Sequence, residues 1–185
     1  MSHILAVVGS RNPNAAQRER CQQAVVAALE AGWHIVTGGA PGVDHLAVLA
    51  AQRAGHAERV TLVLPWRGFE GWQDQRLRYM VYDPDVHTDW LGLAKRHHPN
   101  PGGVKSSAWP LLARNAAIIR MAEAVFAYPS LAKGTYRGGT AHDIRLAQAL
   151  GRKLWVDDGR LPAGTPFREA LRRIRAGVPA AAAGA

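Results

Sequence analysis

His34-Ile35-Val36-Thr37-Gly38-Gly39-Ala40-Pro41-Gly42-Val43-Asp44 begins as a short apolar strand, breaks at glycines and a proline, and ends on the first acid of a helical pattern. A strand that passes through a glycine-rich turn into a helix is the elementary unit of a parallel sheet, because parallel neighbours need a crossover connection. The same order stands upstream: Ile4–Val8 leads through Gly9-Ser10-Arg11-Asn12 into a pattern over Ala15–Ala31, with Ala24, Val25, Ala28 and Leu29 at helical spacing. Downstream, Val60–Leu64, Ala124–Ala127 and Lys153–Val156 are further apolar runs of strand length, while Asp44–Ala54, Trp109–Ala122 and Thr140–Leu150 carry helical periodicity. Gly32, Gly55 and Gly151 fall just past three of these helix ends, where left-handed caps are expected. Strands that are apolar throughout must be covered on both sides. The expected architecture is therefore α/β, a Rossmann-like three-layer fold with a mostly parallel central sheet and helices on both faces.

With 185 residues, 48% of them hydrophobic, the chain can bury one substantial core. A single domain is expected over residues 1–176, with an aromatic-rich insertion at about 65–108 and a disordered tail at 177–185 that follows a basic helix containing Arg168, Arg172, Arg173 and Arg175. The insertion scatters Trp66, Trp72, Tyr79, Tyr82 and Trp90 among Pro, Asp, His and Arg, and is too long for an idle loop. It reads as a surface element with one short helix near Trp72–Tyr82, with a lid or an oligomer contact as the functional alternative. The one cysteine, Cys21, lies in the first helical pattern as a small core residue and excludes an intrachain disulfide. No apolar run approaches the roughly 18 to 20 residues that span a bilayer, so a cytoplasmic location without membrane attachment is expected. The 23 Lys and Arg against 14 Asp and Glu leave a charge of +9, which favours polyanionic or phosphorylated partners. Arginine is spread along the whole chain, so composition alone accounts for the charge equally well.

In an open parallel sheet, ligands sit beyond the carboxyl ends of the strands. Three glycine-bearing turns belong there. Gly9, Ser10 and Arg11 follow the first strand, with Gly9 admitting an anion to the backbone. Gly38, Gly39 and Gly42 precede a helix that starts near Asp44, and Gly138, Gly139 and Thr140 open a later one. Glycines expose backbone N–H groups, and a helix N-terminus adds a positive dipole end, so each turn suits a phosphate. None is followed by Gly-Lys-Ser/Thr, and none has the spacing G-x-G-x-x-G, which argues against ATP hydrolysis and hydride transfer. No cofactor is expected. His97 and His98 with Asp83, Asp85, His87 and Asp89 match no defined metal site, and no metal is expected. Asp157-Asp158-Gly159 reads as a turn.

Taken in order, Val8-Gly9-Ser10-Arg11, Thr37–Asp44, the Arg114-Asn115 pair and Gly138-Gly139-Thr140 resemble the SLOG superfamily. That group includes the Rossmann-like domain of the DNA-processing protein A (Smf) family and the LOG phosphoribohydrolases once labelled lysine decarboxylases. The resemblance covers about residues 4 to 157 apart from the insertion, and it implies two functions. The first is binding of a nucleotide or nucleotide-derived small molecule, with phosphoribohydrolase-like cleavage of the N-glycosidic bond in a nucleoside 5'-monophosphate carried by Arg114 and Asp143. The alternative is single-stranded DNA binding of the DNA-processing protein A type. Asn115 stands where Lys is common in the hydrolases, and Asp143 stands where they have Glu.

Two readings stand for each charged candidate. Asp143 is a carboxylate for oxocarbenium stabilisation or a first-turn acid on a helix beginning at Thr140. Arg114 holds a phosphate or is a solvated helix charge, and Asp44 accepts from a ribose hydroxyl or caps its helix. By analogy with packed α/β domains that pair through exposed helices, a homo-oligomer is expected.

Overall fold

The computed structural model describes residues 3–74 and 77–160. The order is β1 (Ile4–Gly9), α1 (Ala15–Glu30), β2 (His34–Thr37), α2 (Val43–Arg53), β3 (Val60–Leu64), a 3-10 segment (Phe69–Asp74), β4 (Arg78–Val81), α3 (Thr88–His97), α4 (Trp109–Met121), β5 (Ala124–Tyr128), a hairpin of β6 (Leu131–Ala132) and β7 (Thr135–Tyr136), α5 (Gly138–Ala149) and β8 (Lys153–Val156). Six strands form one parallel sheet in the order β4-β3-β2-β1-β5-β8. The chain winds outward from β1 to β4, then returns to the other side of β1 with β5, so strand order reverses between β1 and β5.

Alternation along each strand divides the core into two layers. Leu5, Val7, Ile35, Leu62, Leu64 and Phe126 pack with α1 and α2. Ala6, Val8, Val36, Val63, Val125 and Ala127 pack on the other face with α3, α4 and α5. The three-layer α/β architecture is therefore present, with helices on both faces. Asn14 starts α1: its side chain accepts from Gln17 N at 2.8 Å while Gln17 Oε1 accepts from Asn14 N at 3.1 Å, a reciprocal cap that satisfies two N–H groups. Cys21 is buried as a small core residue, and burial pushes its thiol well up.

The stretch after Pro65 differs from the expectation. Trp72 lies in the 3-10 segment rather than in a helix reaching Tyr82, and Arg78–Val81 form the edge strand β4, paired with β3. Thr88–His97 then form α3, which buries Trp90, Leu93 and Ala94. Instead of a surface insertion, this stretch completes the sheet at one edge and a helical layer on one face. The basic helix near Arg168–Arg175 and the tail at 177–185 lie outside the described residues.

Asp157, read as part of a turn, is also a buried anchor. Arg20 of α1 donates to it twice, Nε to Oδ2 at 2.6 Å and Nη2 to Oδ1 at 2.8 Å, and Gln17 Nε2 reaches the Asp157 carbonyl at 2.8 Å. These bonds tie the first helix to the segment after the last strand. Breaking one side of such a pair leaves an uncompensated charge. Arg20→Met is therefore expected to cost about 3 to 5 kcal/mol, read as a lower urea midpoint, and a loss near zero would show that Asp157 needs no guanidinium.

Candidate ligand-binding site

A cavity of about 780 Å3 opens at the carboxyl ends of β1 and β5, where strand order reverses. Its walls come from the β1 turn, the α4 residues around Arg114 and Asn115, the loop before α4, and the first turns of α5. This is the place an open α/β sheet reserves for a ligand.

Of the candidates named from sequence, Gly9, Ser10, Arg11, Asp44, Arg114, Asn115, Gly138, Gly139, Thr140 and Asp143 line the cavity, whereas Gly38, Gly39 and Gly42 are not among its walls. The second turn is filled from the inside. A Cβ built on Gly38 would lie 1.0 Å from Arg114 Nη1, so only glycine leaves room for the guanidinium. Trp72 Nε1 donates to Gly39 O at 2.6 Å. Gly42 has φ +92°, and a Cβ there would meet the carbonyl oxygens of Ser10 and Arg11 at 2.4 and 2.5 Å; Val43 N also donates to Ser10 O at 3.1 Å. Of the second turn, Ala40 and Asp44 reach the cavity wall and the three glycines do not. The glycines of the second turn prop the first, and those of the first and third face the cavity.

At the first turn, Ser10 N donates to Tyr128 O at 2.8 Å and is already used. Ser10 Oγ accepts from Asn12 N at 3.0 Å, which leaves its hydroxyl proton available to a ligand. At the third turn, α5 begins at Gly138, two residues earlier than expected, with Arg137 at its N-cap, no side chain capping it and no acid in its first turn. Its leading N–H groups and dipole end face the cavity mouth. Arg11, Lys105, Arg137 and Arg145 are exposed around that mouth. Lys105, Arg145 and the two histidines His98 and His142 are wall residues that the sequence reading did not assign. Lys105 and His98 lay in the stretch taken as an insertion, and no local pattern marks them.

The inner wall is organised by two adjacent residues of α4. Arg114 is 5% exposed, not solvated, and its Nη1 donates to Asp44 Oδ2 at 3.4 Å. Its Cζ lies 5.9 Å from the Phe69 ring centroid, within cation–π range, while its Nε is buried with no hydrogen-bond partner among the described residues. Asp44 Oδ2 also accepts from Ala40 N at 3.3 Å, a cap within its own turn. Asn115 Nδ2 donates to both oxygens of Asp143, at 2.9 and 3.0 Å. Asp143 is thus a buried acid facing α4, not a first-turn acid on α5.

Burial holds the Asp44 carboxyl above its usual range, and Arg114, with the Ala40 amide, pulls it partly back down. A carboxyl raised on folding binds its proton more tightly in the folded state. Its contribution to stability is full below the unfolded value of about 3.9 and is lost as pH rises through the raised value. Removing the guanidinium removes the main downward pull. Arg114→Met is accordingly expected to lose more stability relative to wild type near neutral pH than at mildly acid pH, measured by chemical denaturation at both. Equal losses would show that the pair is not what opposes the burial of Asp44.

Residues 1–66 match the family model described as DNA recombination-mediator protein A. No curated protein is matched. Among solved structures, the chain is similar to DNA processing protein A from Helicobacter pylori, a protein with a single-stranded DNA binding mode, with 20% identity, a TM-score of 0.60, and coverage of 95% of this chain and 73% of that one. It is similar to DNA processing protein A from Streptococcus pneumoniae at 22% identity and a TM-score of 0.60, covering 96% of this chain but 57% of that one, so it spans little more than half of that protein. A molybdenum cofactor binding protein from the phototrophic bacterium Rippkaea orientalis has 15% identity and a TM-score of 0.59, with coverage of 97% and 87%. At such identities the structural likeness concerns the fold. Sequence likeness to the recombination-mediator family is thus confined to residues 1–66, and the likeness over the rest of the chain is one of fold.

Proposed function

We propose that the chain binds a nucleotide or nucleotide-derived ligand in the cavity between the β1 turn and α5, with its phosphate at the mouth. The observation that carries this reading is the pairing of an unopposed helix N-terminus with four exposed cations, Arg11, Lys105, Arg137 and Arg145, around one concave site. The Ser10 hydroxyl adds a donor from the facing turn. The body of the ligand enters toward Asn115 and Asp143, where a carboxylate with unused lone pairs accepts from a hydroxyl or amino group. The molybdenum cofactor binding protein of the same fold supports a small-molecule role for this cavity.

The proposal is binding rather than cleavage. Of the two residues that the hydrolase resemblance assigns, Arg114 is engaged with Asp44, and Asp143 has the Asn115 amide across both oxygens. Neither is poised as a free partner for a glycosidic bond.

A second reading, single-stranded DNA, is favoured by the exposure of the four cations and by the match of residues 1–66 to a recombination-mediator family. Salt separates the two. Four phosphate contacts on a single strand give a slope near −2.8 in log affinity against log salt, or about 50-fold between 50 and 200 mM. A mononucleotide held partly by neutral donors should lose much less.

Nucleoside 5'-monophosphates at about 100 times their Kd are expected to raise Tm by roughly 5 °C or more. Gly139 is exposed, and a Cβ there meets only Asn115 Nδ2 at 3.4 Å. Gly139→Asp should therefore fold normally while placing a carboxylate in the first turn of α5, and the Tm increase should disappear. An unchanged increase in that variant would remove the α5 terminus from the phosphate site.

A further inference from the structure

Deep in the cavity wall, two side chains are arranged in a way that phosphate capture does not require. His142 of α5 is 1% exposed. Its Nε2 lies 3.2 Å from the Ala94 carbonyl of α3, and because a carbonyl oxygen only accepts, Nε2 carries a proton. In the neutral ring, Nδ1 is then a bare lone pair. That nitrogen is buried without a hydrogen-bond partner among the described residues and stands 3.7 Å from Asp143 Oδ1. Asp143 is itself 2% exposed and accepts from Asn115 Nδ2 on both oxygens, Oδ1 included. Two buried acceptors thus face each other with no donor between them among the described residues, and Nδ1 has lost its water without gaining a bond. One proton on Nδ1 turns that opposition into a charge-assisted hydrogen bond.

We propose that His142 is a positioning residue for Asp143, and that an oxyanion entering the cavity draws one proton from solvent onto Nδ1, so that anion capture is coupled to proton uptake. This rests on reading the cavity as an oxyanion site. The charged and titratable groups around it are Asp143 and Arg145 on α5, Arg137 at its N-cap, Tyr136 of β7, Arg114 on α4 with its partner Asp44 from α2, His98 at the end of α3, Arg11 of the β1 turn, and Lys105 at the mouth. Arg114 is already neutralised by Asp44, and Arg11, Lys105, Arg137 and Arg145 are exposed, so the buried carboxylates gain no further counter-charge when a dianion arrives. His98, whose ring centroid is 5.6 Å from that of His142, is the rival proton carrier. Burial and the neighbouring His142 push the His98 imidazole down, so it takes up a proton less readily than a free imidazole. His142 has a carboxylate waiting opposite its free nitrogen, and the proton settles there.

Sulfate is a suitable probe because its charge does not change across neutral pH. Calorimetry on the full chain, run near pH 7 in two buffers with different ionisation heats, is expected to show a fraction of a proton taken up per sulfate bound. Affinity should fall as pH rises, by up to about tenfold per pH unit. The uptake should persist in His98→Gln and vanish in His142→Gln. Sulfate binding without uptake, or uptake retained in His142→Gln, overturns the coupling while leaving the cavity reading intact. Failure of both sulfate and nucleoside monophosphates to bind overturns the cavity reading itself. Nitrogen NMR of the unliganded wild type examines the pair without any ligand or variant: the neutral His142 ring should carry its proton on Nε2, and a ring protonated on Nδ1 would refute the arrangement.

Discussion

Two carboxylates are buried beside one cavity, and each is held there by a donor from α4. Arg114 takes Asp44 from α2, and Asn115 takes Asp143 from α5. Successive residues of a helix point about 100° apart, so this adjacent pair reaches to opposite sides of the site. Neither acid could be buried without its donor, since an unpaired ionised carboxylate would protonate or unfold its surroundings. The pair also sets the shape of the second turn. The Arg114 guanidinium occupies the space that any side chain at residue 38 would need, so Gly38 is demanded by a residue 76 positions later in the chain.

That dependence explains why the glycines of the second turn misled the sequence reading. Glycine serves an exposed anion-binding backbone and a backbone crowded by a distant side chain equally well, and no local pattern separates the two. The first and third turns were legible because their glycines do border open space at the sheet edge. The second turn has its own role, since Gly42 and Val43 lie against the carbonyls of Ser10 and Arg11 and fix the first turn in place.

Four of the five strands read from apolar runs, β1, β2, β3 and β5, are legible for a related reason: they lie inside the sheet and are covered on both sides, so nearly every position favours an apolar residue, while β8 at one edge is marked by Leu154, Trp155 and Val156. β4 lacks that signature because it is the sheet edge, with Arg78, Tyr79 and Met80 all exposed. The periodicity of α3 was available in Trp90, Leu93 and Ala94, but these stand among charged and histidine residues in a stretch already assigned to an insertion. The register of α5 was set from Thr140 as a cap, whereas Arg137 holds that place. That three-residue shift of the cap takes Asp143 out of the first turn, and packing places it on the inner wall, an environment that periodicity alone does not specify. The acid's partner, Asn115, was named from the sequence, but the bond between them is a fact of tertiary packing.

The charge pattern of the cavity runs from cations at the mouth to acceptors at the wall. Arg11, Lys105, Arg137 and Arg145 stand in water, where their field fades over a Debye length of about 8 Å at physiological salt. Cations so placed would steer an anion toward the cavity and set the rate of its arrival more than they would hold it. The Asp143 carboxylate lies where water is largely excluded, and interactions made there are screened far less. A ligand that satisfies both ends must carry its negative charge at one end and hydrogen-bond donors at the other, and it can enter in one orientation only. A bare phosphate uses the mouth alone, and a polymer backbone crossing the mouth would leave Asp143 and His142 unused. A compact phosphate ester with hydroxyl or amino groups on its body uses the whole of the site.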